Sequence, residues 1–257
     1  MLVKTKINDA IINFLSEDYL INLNILGYLE NEPFAEIYVD NPEKPTGVLV
    51  KEDEYMHFLY SKNDNFIGEV AENYLKTGYC GFSGVENSIV EKLMKKLIGK
   101  GDLHWKYPCF VYYMPKENLN LGLIKNEVRP IDIRDAKEVD KYYTFRSEDS
   151  LERIKKDILN RPSSAVYVNG EIACWVIVHS DNSMGILFTK EEFRRKGYAV
   201  DVTIDLASKI IAEGRIPFIQ IVEDNHMSPS VAKICGFVQC GRATWFGVKV
   251  GDPDKEV

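Results

Sequence analysis

A short basic stretch with one glycine is the part of this 257-residue sequence best suited to chemistry. It reads Arg194-Arg195-Lys196-Gly197-Tyr198-Ala199. Gly197 has no Cβ, so the backbone can approach a ligand closely there, and Arg194 and Arg195 can add charge-assisted contacts to phosphate. A helix that begins directly afterwards directs its unpaired N–H groups and the positive end of its dipole at the same place. The stretch is therefore a candidate pyrophosphate-binding loop.

The neighbouring segments are of the kind that could position such a loop. The stretch from Gly185 to Thr189 is predicted as a strand, and the one from Val200 to Glu213 as a helix whose apolar residues share one stripe. A second buried strand is predicted from Pro217 to Val222. Two strands joined by a crossover helix run parallel, and a pair that diverges beyond the loop leaves a cleft at its carboxyl ends.

The other segments of the C-terminal half predict a mixed sheet. The Asn169-Gly170 dipeptide between two apolar runs predicts a tight hairpin. Ser228-Pro229 is typical of a helix start, Gly236 ends that helix, and residues 237–250 are predicted as a strand pair. The predicted fold class is α/β or α+β, with helices on both faces of a mixed sheet.

The N-terminal half repeats this order without the basic loop. Three predicted strands precede two predicted helices: 37–39, 47–50, 55–60, 66–76 and 86–98. Between the third strand and the first helix the chain reads Ser61-Lys62-Asn63-Asp64-Asn65, which has no basic turn with glycine. We predict either a degenerate repeat of the C-terminal half or a separate α+β domain. The predicted domains are residues 1–122 and 123–257.

Composition argues against several function classes. The formal net charge is −7 and no Lys/Arg-rich block occurs, which disfavours nucleic-acid binding and is compatible with an amine substrate. The 5 cysteines include no C-x-x-C pair, so we expect reduced thiols and no metal site. The N-terminus lacks the apolar segment of a signal peptide and no long apolar run follows. We therefore expect a cytoplasmic protein that does not bind a membrane.

Two blocks of the C-terminal half together resemble the GNAT superfamily of N-acyltransferases. The first, from Leu187-Phe188-Thr189 through the basic loop to Ala199, is similar to the acyl-CoA motif of that superfamily. The second, from Asn225 to Gly236-Phe237, is similar to its Asn-x-x-Ala/Ser…Gly-Phe segment. The layout of the whole chain, a motif-poor half followed by Ile172-Ala173-Cys174-Trp175 and the first block, is similar to the glycine N-acyltransferase-like branch.

The resemblance implies an acyl-CoA co-substrate, acetyl-CoA above all, and transfer of its acyl group to a small amine or amino acid. The expected partners are acyl-CoA and that amine, and a homodimer stays open. The residues expected to bind acyl-CoA lie on the strand, in the loop and at the next helix: Leu187, Phe188, Thr189, Arg194, Arg195, Lys196, Gly197, Tyr198, Ala199, Asn225 and Ser228.

The residues for proton transfer are less clearly marked. Attack of an amine on a thioester needs a general base, and we place Glu223 first and His179 second. Many members of the superfamily carry a tyrosine that is thought to protonate the leaving thiolate, but this sequence has Ala232 at that position. Two functions therefore stay open, a short-acyl N-acyltransferase and a non-catalytic acyl-CoA sensor or scaffold. A dinucleotide site is disfavoured because no Gly-x-Gly-x-x-Gly occurs.

Overall fold

The computed structural model describes residues 1–251, which form two compact units. The first unit comprises Met1–Val111 together with the chain from Cys240 on, and the second comprises Tyr112–Gln239. This division differs from the predicted boundary after residue 122. The C-terminal strand belongs to the first unit because it pairs there with an earlier strand.

The first unit begins with two helices inserted between its first two strands. In chain order its elements are β1 (Val3–Thr5), α1 (Asp9–Ser16), α2 (Leu23–Asn31), β2 (Glu36–Val39), β3 (Gly47–Lys51), β4 (Met56–Ser61), α3 (Asp64–Glu69), β5 (Gly78–Glu86), α4 (Asn87–Lys96) and β6 (Gly101–Tyr113). A π-helical turn, Val70–Tyr74, continues α3. The last strand of the chain, β11 (Val238–Val250), completes the unit.

The strands of the first unit form a mixed sheet in the order β1-β2-β3-β4-β5-β11-β6. Strands β4 and β5 are parallel, whereas β11 runs antiparallel to β5. Apolar residues from all four helices and from the strands form one core, among them Ile11, Leu29, Ile67, Leu93, Leu49 and Phe58. The predicted class, a mixed sheet with helices on both sides, is confirmed.

Strand β11 corrects one sequence-based prediction. Residues 237–250 were expected to form a strand pair broken at Gly241 and Gly247, but 238–250 are one continuous strand. Gly247 lies opposite Gly81 in the ladder with β5, and a Cβ on Gly247 would lie 2.2 Å from Nε1 of Trp105. Glycine is required there because an indole packs against the strand, and no turn is formed.

The second unit carries a three-stranded antiparallel sheet in the order β7-β8-β9. Its elements are α5 (Ala136–Lys141), α6 (Ser150–Asn160), β7 (Ser163–Val168), β8 (Glu171–Val178), β9 (Met184–Thr189), α7 (Tyr198–Ala212), β10 (Phe218–Val222) and α8 (Ser228–Ile234). The predicted hairpin is confirmed, since Asn169 and Gly170 both have positive φ between β7 and β8.

Helices cover the two faces of this sheet. Val139 of α5 and Ile154 of α6 pack with Trp175 and Ile177 of β8 in one buried cluster. Side chains alternate along a strand, so the intervening Val176 points to the opposite face, where α7 packs on β7 and β8.

The two halves of the chain follow the same order of elements: two helices, three strands, a helix, a strand, a helix and a strand, although the closing strand of the second series, β11, belongs to the first unit. In the first unit β1 precedes this series and pairs with β2, and in the second Arg129 forms an isolated bridge to Ala165 of β7. The shared order supports the predicted internal repeat.

Within residues 1–251, no helix is long and apolar enough to span a membrane.

Candidate functional site

The basic loop leads into α7 through two residues in the left-handed region. Arg195 has φ 64° and Gly197, the N-cap residue, has φ 86°. No side chain caps the helix, and the N–H groups from Arg195 to Ala199 find no acceptor among residues 1–251. The loop is exposed from Arg194 to Gly197. Unpaired N–H groups at the start of a 15-residue helix form a site suited to a phosphate.

Gly197 is required by its backbone angle more than by space. A Cβ built on it would have no heavy atom within 4 Å among the described residues, outside its immediate chain neighbours. The positive φ, by contrast, is strained for any residue with a branched side chain. Among the described residues, the protein itself therefore leaves the space beside Gly197 open.

A buried lysine fixes the start of the loop. The Lys190 side chain is only 4% exposed, and its Nζ lies 2.6 Å from Oε1 of Glu171 and 2.8 Å from Oε1 of Glu138. Burial alone would lower the pKa of this ammonium, but the two carboxylates raise it above its ordinary value. The Lys190 N–H also donates to the Ala173 carbonyl over 3.0 Å. These contacts hold the exit of β9 against α5 and β8.

Strand β9 contains a β-bulge in its middle. Its ladder with β8 pairs Phe188 with Trp175 and Gly185 with Ile177, so β9 has one residue more than β8 between these pairs. Ile186, in the extra segment, has φ 53°. A β-branched residue in the left-handed region is strained, and a bulge changes the direction of the backbone groups beside it.

Strands β9 and β10 lie near each other without forming a ladder. They belong to different sheets, and no backbone hydrogen bond joins them in the described part of the chain. The outer edge of β9 therefore offers N–H and C=O groups that no strand pairs with. This separation provides the opening that the sequence predicted, although the two strands form no paired segment from which to diverge.

The side chains of β9 and the loop divide into packed and exposed groups. Phe188 stacks on Tyr142 with ring centroids 4.6 Å apart, so it belongs to the unit's core. Thr189 Oγ1 lies 3.1 Å from Cys174 Sγ, whereas Leu187 is half-buried. Arg194 donates from Nε to the Thr189 carbonyl over 3.2 Å and remains exposed.

The loop's remaining predicted residues lie at the surface. Arg195 and Lys196 are exposed, and Tyr198 and Ala199 are half-buried in the first turn of α7. Lys196 places its Nζ 5.2 Å from the centroid of the Phe193 ring. The structure therefore brings the basic side chains and the open N–H groups together at one end of β9.

Asn225 and Ser228 have a local structural role. The Asn225 carboxamide oxygen accepts from the N–H groups of Met227 and Ser228 over 3.2 and 3.1 Å, and its Nδ2 donates to Ser228 Oγ over 2.9 Å. Asn225 therefore closes the turn that leads into α8, whose N-cap residue is Met227. Ala232, later in α8, is buried and carries no group that could donate a proton.

The two candidate bases lie on different elements. Glu223 directly follows β10 and is half-buried. His179 follows β8, and its Nδ1 lies 3.2 Å from Oδ2 of Asp157 on α6. A Cβ on Gly185 would lie 2.2 Å from Nε2 of His179, so the imidazole rests against β9 just before the bulge. Sequence reasoning missed Asp157, although a carboxylate three residues after the core residue Ile154 on a helix is a usable signal.

Two charged groups near His179 have buried polar atoms without a partner in the structure. Asp181 accepts through Oδ1 from the N–H and hydroxyl of Ser183, but its Oδ2 has no partner among residues 1–251. Burial raises the pKa of the Asp181 carboxyl. Arg161 donates from Nη1 to Asp157 Oδ1 over 2.7 Å, while its buried Nε has no partner in the same residues.

Metal ligation finds no support in the described part of the chain. No group of three or more His, Cys, Asp or Glu residues is arranged to hold a metal ion there. All five cysteines are free, and burial raises the pKa of Cys80, Cys174 and Cys235 to about 12. These thiols are therefore protonated at neutral pH.

Comparison with known proteins points to one fold. Residues 164–246 match the family model described as FR47-like protein. No curated protein sequence matches the chain. A Drosophila protein of solved structure superposes with a TM-score of 0.77 at 16% identity, covering 98% of this chain and 99% of that one.

Two further solved structures carry GNAT names. A GCN5-related N-acetyltransferase from Sphaerobacter thermophilus gives a TM-score of 0.61 at 10% identity, covering 100% of this chain and 98% of that one. A tandem GNAT protein from the clavulanic acid biosynthesis pathway gives 0.56 at 10% identity, covering 99% and 100%. At such low identity the likeness establishes the fold, which is that of GNAT acetyltransferases.

Proposed function

We propose that this chain, with its GNAT fold, is an N-acyltransferase that moves an acetyl or short acyl group from acyl-CoA to the primary amine of a small molecule or amino acid. The observation that carries the proposal is the start of α7. Five unpaired N–H groups, from Arg195 to Ala199, lie beside a strand edge that no neighbour occupies.

The residues of this region fit the parts of an acyl-CoA molecule. The pyrophosphate would accept from the loop N–H groups, with Arg194 and Arg195 adding charge. The pantetheine amides would pair with the free edge of β9, as an added strand does. The bulge at Ile186 would direct an N–H toward the thioester carbonyl, where negative charge develops.

The reaction is a direct transfer in which all atoms are accounted for. The amine nitrogen attacks the thioester carbon, the C–N bond forms and the C–S bond breaks. One proton leaves the nitrogen for a base, and one proton is added to the departing thiolate. The products are an amide and the free thiol of CoA. Ala232 cannot supply the second proton, so it comes from solvent or from the protonated base.

Ala232 also favours a second function. A protein that has the open loop but lacks a proton donor at position 232 would bind acyl-CoA without turnover and serve as a sensor or scaffold. The glycine N-acyltransferase-like branch remains the finer family proposal, supported by the layout of a motif-poor half before the loop. A homodimer and a cytoplasmic location remain predictions.

Ligand-induced stabilisation and thiol release test these functions together. We expect CoA and acetyl-CoA, but not NAD, to raise the Tm by mass action. We expect acetyl-CoA with a panel of small amines and amino acids to release free thiol. Stabilisation by CoA without any thiol release would favour the sensor, and stabilisation by NAD alone would contradict both acyl-CoA functions.

A further inference from the structure

We infer that His179 is the general base of the acyl transfer and that Asp157 is its positioning residue. This assignment rests on the proposed function and adds to it a residue, Asp157, that the sequence motifs do not mark. It is carried by the contacts of the imidazole with α6 and with β9.

The first observation is that the carboxylate beside His179 is fixed from two sides. Asp157 Oδ2 lies 3.2 Å from His179 Nδ1, and Asp157 Oδ1 accepts from Arg161 Nη1 over 2.7 Å. The side chains of Asp157 and Arg161 are 9% and 6% exposed. A carboxylate held in this way orients the imidazole and favours the tautomer with the proton on Nδ1.

The second observation places Nε2 against the strand that would hold the thioester. Gly185 is the residue before the strained Ile186, and any side chain on Gly185 would collide with Nε2. The His179 side chain is 28% exposed, so it is reachable from solvent. An amine bound here would meet the base next to the point where the backbone of β9 changes direction.

The charged groups around the imidazole and its turn come from α6 and its C-terminal end, from the turn itself and from the segment between α7 and β10. Asp157 lies on α6, Arg161 follows α6, and Asp181 belongs to the same turn as His179. Arg215, between α7 and β10, donates from Nη1 to Asn182 Oδ1 of that turn over 2.5 Å. Of these groups, Asp157 is the carboxylate that contacts the imidazole directly.

Glu223, which the sequence placed ahead of His179 as the general base, is the weaker candidate for that role. Glu223 follows β10, which lies in a different sheet from β9, whereas the His179 imidazole lies against Gly185 of β9. In the proposed step His179 Nε2 takes a proton from the attacking nitrogen as the C–N bond forms. The imidazolium then gives that proton to the departing thiolate sulfur, which restores neutral His179.

Three variants test the pair by thiol release at several pH values. For His179→Ala we expect kcat to fall about 10²–10⁴-fold with an unchanged KM for acyl-CoA, and added imidazole to restore part of the rate. For Asp157→Asn we expect a smaller fall in kcat. The acidic limb of its kcat/KM profile should move to lower pH, because the imidazolium loses a neighbouring negative charge.

Asp140→Asn is the matched control. Asp140 is buried on α5 and paired with Arg146 over 2.8 Å, so it reproduces the loss of a carboxylate held by arginine at a site that does not contact His179. We expect wild-type kcat and an unshifted pH profile from it. A CoA-induced rise in Tm establishes that each variant is folded.

The outcomes separate this inference from the proposed function. If wild type turns over and His179→Ala does so equally well, His179 is not the base although the enzyme assignment stands. If the pH profile of kcat/KM for Asp157→Asn coincides with that for Asp140→Asn, Asp157 does not position His179. A wild-type protein that releases no thiol with any amine contradicts both.

Discussion

The helix that follows the third strand of the shared series of elements, α3 in the first unit and α7 in the second, begins in opposite ways in the two units. In the first unit α3 is closed by its own N-cap, because Asn63 Oδ1 accepts from the Asn65 N–H over 2.9 Å and Nδ2 donates to Thr46 Oγ1. In the second unit α7 starts at Gly197 without a side-chain cap. The same element can thus be completed by the protein or left open for an anion.

The strands on either side of these helices differ in the same sense. In the first unit β4 and β5 pair at Met56 with Gly81 and at His57 with Phe82. Beyond them a buried amide, Asn24 of α2, donates to the carbonyls of Ser83 and Gly84 over 3.1 and 3.3 Å. In the second unit β9 and β10 form no ladder in the described part of the chain. In the first unit, groups of the protein itself therefore hydrogen-bond to β5 at the place where, in the described part of the second unit, the outer edge of β9 is left without a partner strand.

The turns that lead into β4 and β9 also contrast. Asp53 accepts from the N–H groups of Tyr55 and Met56 and is exposed, whereas Asp181 makes the same type of turn contact to Ser183 and is buried. A buried carboxylate is costly to ionise. The second unit therefore keeps a buried ionisable group at a place where the first unit keeps an exposed one, as functional sites often do.

The largest expected effect is the loss of CoA binding in Gly197→Val. At about 100 times its Kd, CoA should stabilise wild type by about 2.7 kcal/mol. Valine at a positive φ costs about 1–3 kcal/mol and displaces the N–H groups that bind phosphate. We expect the Tm of this variant not to respond to CoA.

Gly214→Val is the control for that strain. Gly214 lies just past the other end of α7 with φ 79°, and a Cβ there also meets no heavy atom within 4 Å among the described residues outside its chain neighbours. Its apo Tm should fall as in Gly197→Val while the CoA response persists. Equal CoA responses in the two variants would show that the open helix start is not the phosphate site.

Arg194→Ala is expected to have a smaller effect that depends on salt. Its guanidinium is exposed, so its attraction to phosphate is screened as ionic strength rises. We expect CoA affinity to fall about tenfold at low salt and about twofold near 1 M salt. Arg242→Ala removes a similar cation beside a ring, that of Phe110, in the first unit and should leave affinity unchanged. A loss independent of salt would indicate a packing role for Arg194.

Asp181→Asn is expected to stabilise the fold in one pH range. The pKa of Asp181 is raised in the folded protein, so its contribution is most favourable below the unfolded pKa of about 3.9 and declines as pH rises. The variant should thus have a higher Tm than wild type at pH 7 and a similar Tm at pH 4. Asp53→Asn should show no such trend, and a trend shared by both would refute the contrast between the turns.

The smallest expected effect is on the closed helix of the first unit. Asn63→Ala removes the N-cap of α3 and should lower the free energy of unfolding by about 1 kcal/mol. Because α3 lies in the unit without the basic loop, CoA affinity should stay at the wild-type value. Chemical denaturation measures the free energy of unfolding, and CoA titration of the same sample measures the affinity. A weakened CoA response would indicate that CoA binds to the first unit instead of the second.

Local sequence signals predicted much of this fold. The Asn169-Gly170 turn, the amphipathic α7 and the Ser228-Pro229 helix start depend on backbone preferences within a few residues. The loop was equally visible, since a basic turn with glycine between a strand and a helix is contiguous. Element order also supported the repeat without any knowledge of contacts.

Signals that depend on distant partners were missed or misread. Gly247 suggested an interruption of the last strand, because its true cause, the indole of Trp105, lies more than 140 residues earlier in the chain. The pairing of β11 with β5, which brings the C-terminal strand into the first unit, likewise has no signature in either segment. Ladder partners are chosen by packing and not by local preference.

The sequence by itself determined the helix and strand types, the open start of α7 and the position of the basic loop, because these depend on neighbours in the chain. Only the tertiary structure decided that the outer edge of β9 has no partner strand among residues 1–251 and that Asp157 of α6 meets His179. Those contacts join residues brought together by folding, and a hydrogen bond acts only over about 3 Å. For this reason the position of the basic loop could be predicted from the sequence, whereas the contact of Asp157 with the proposed base could not.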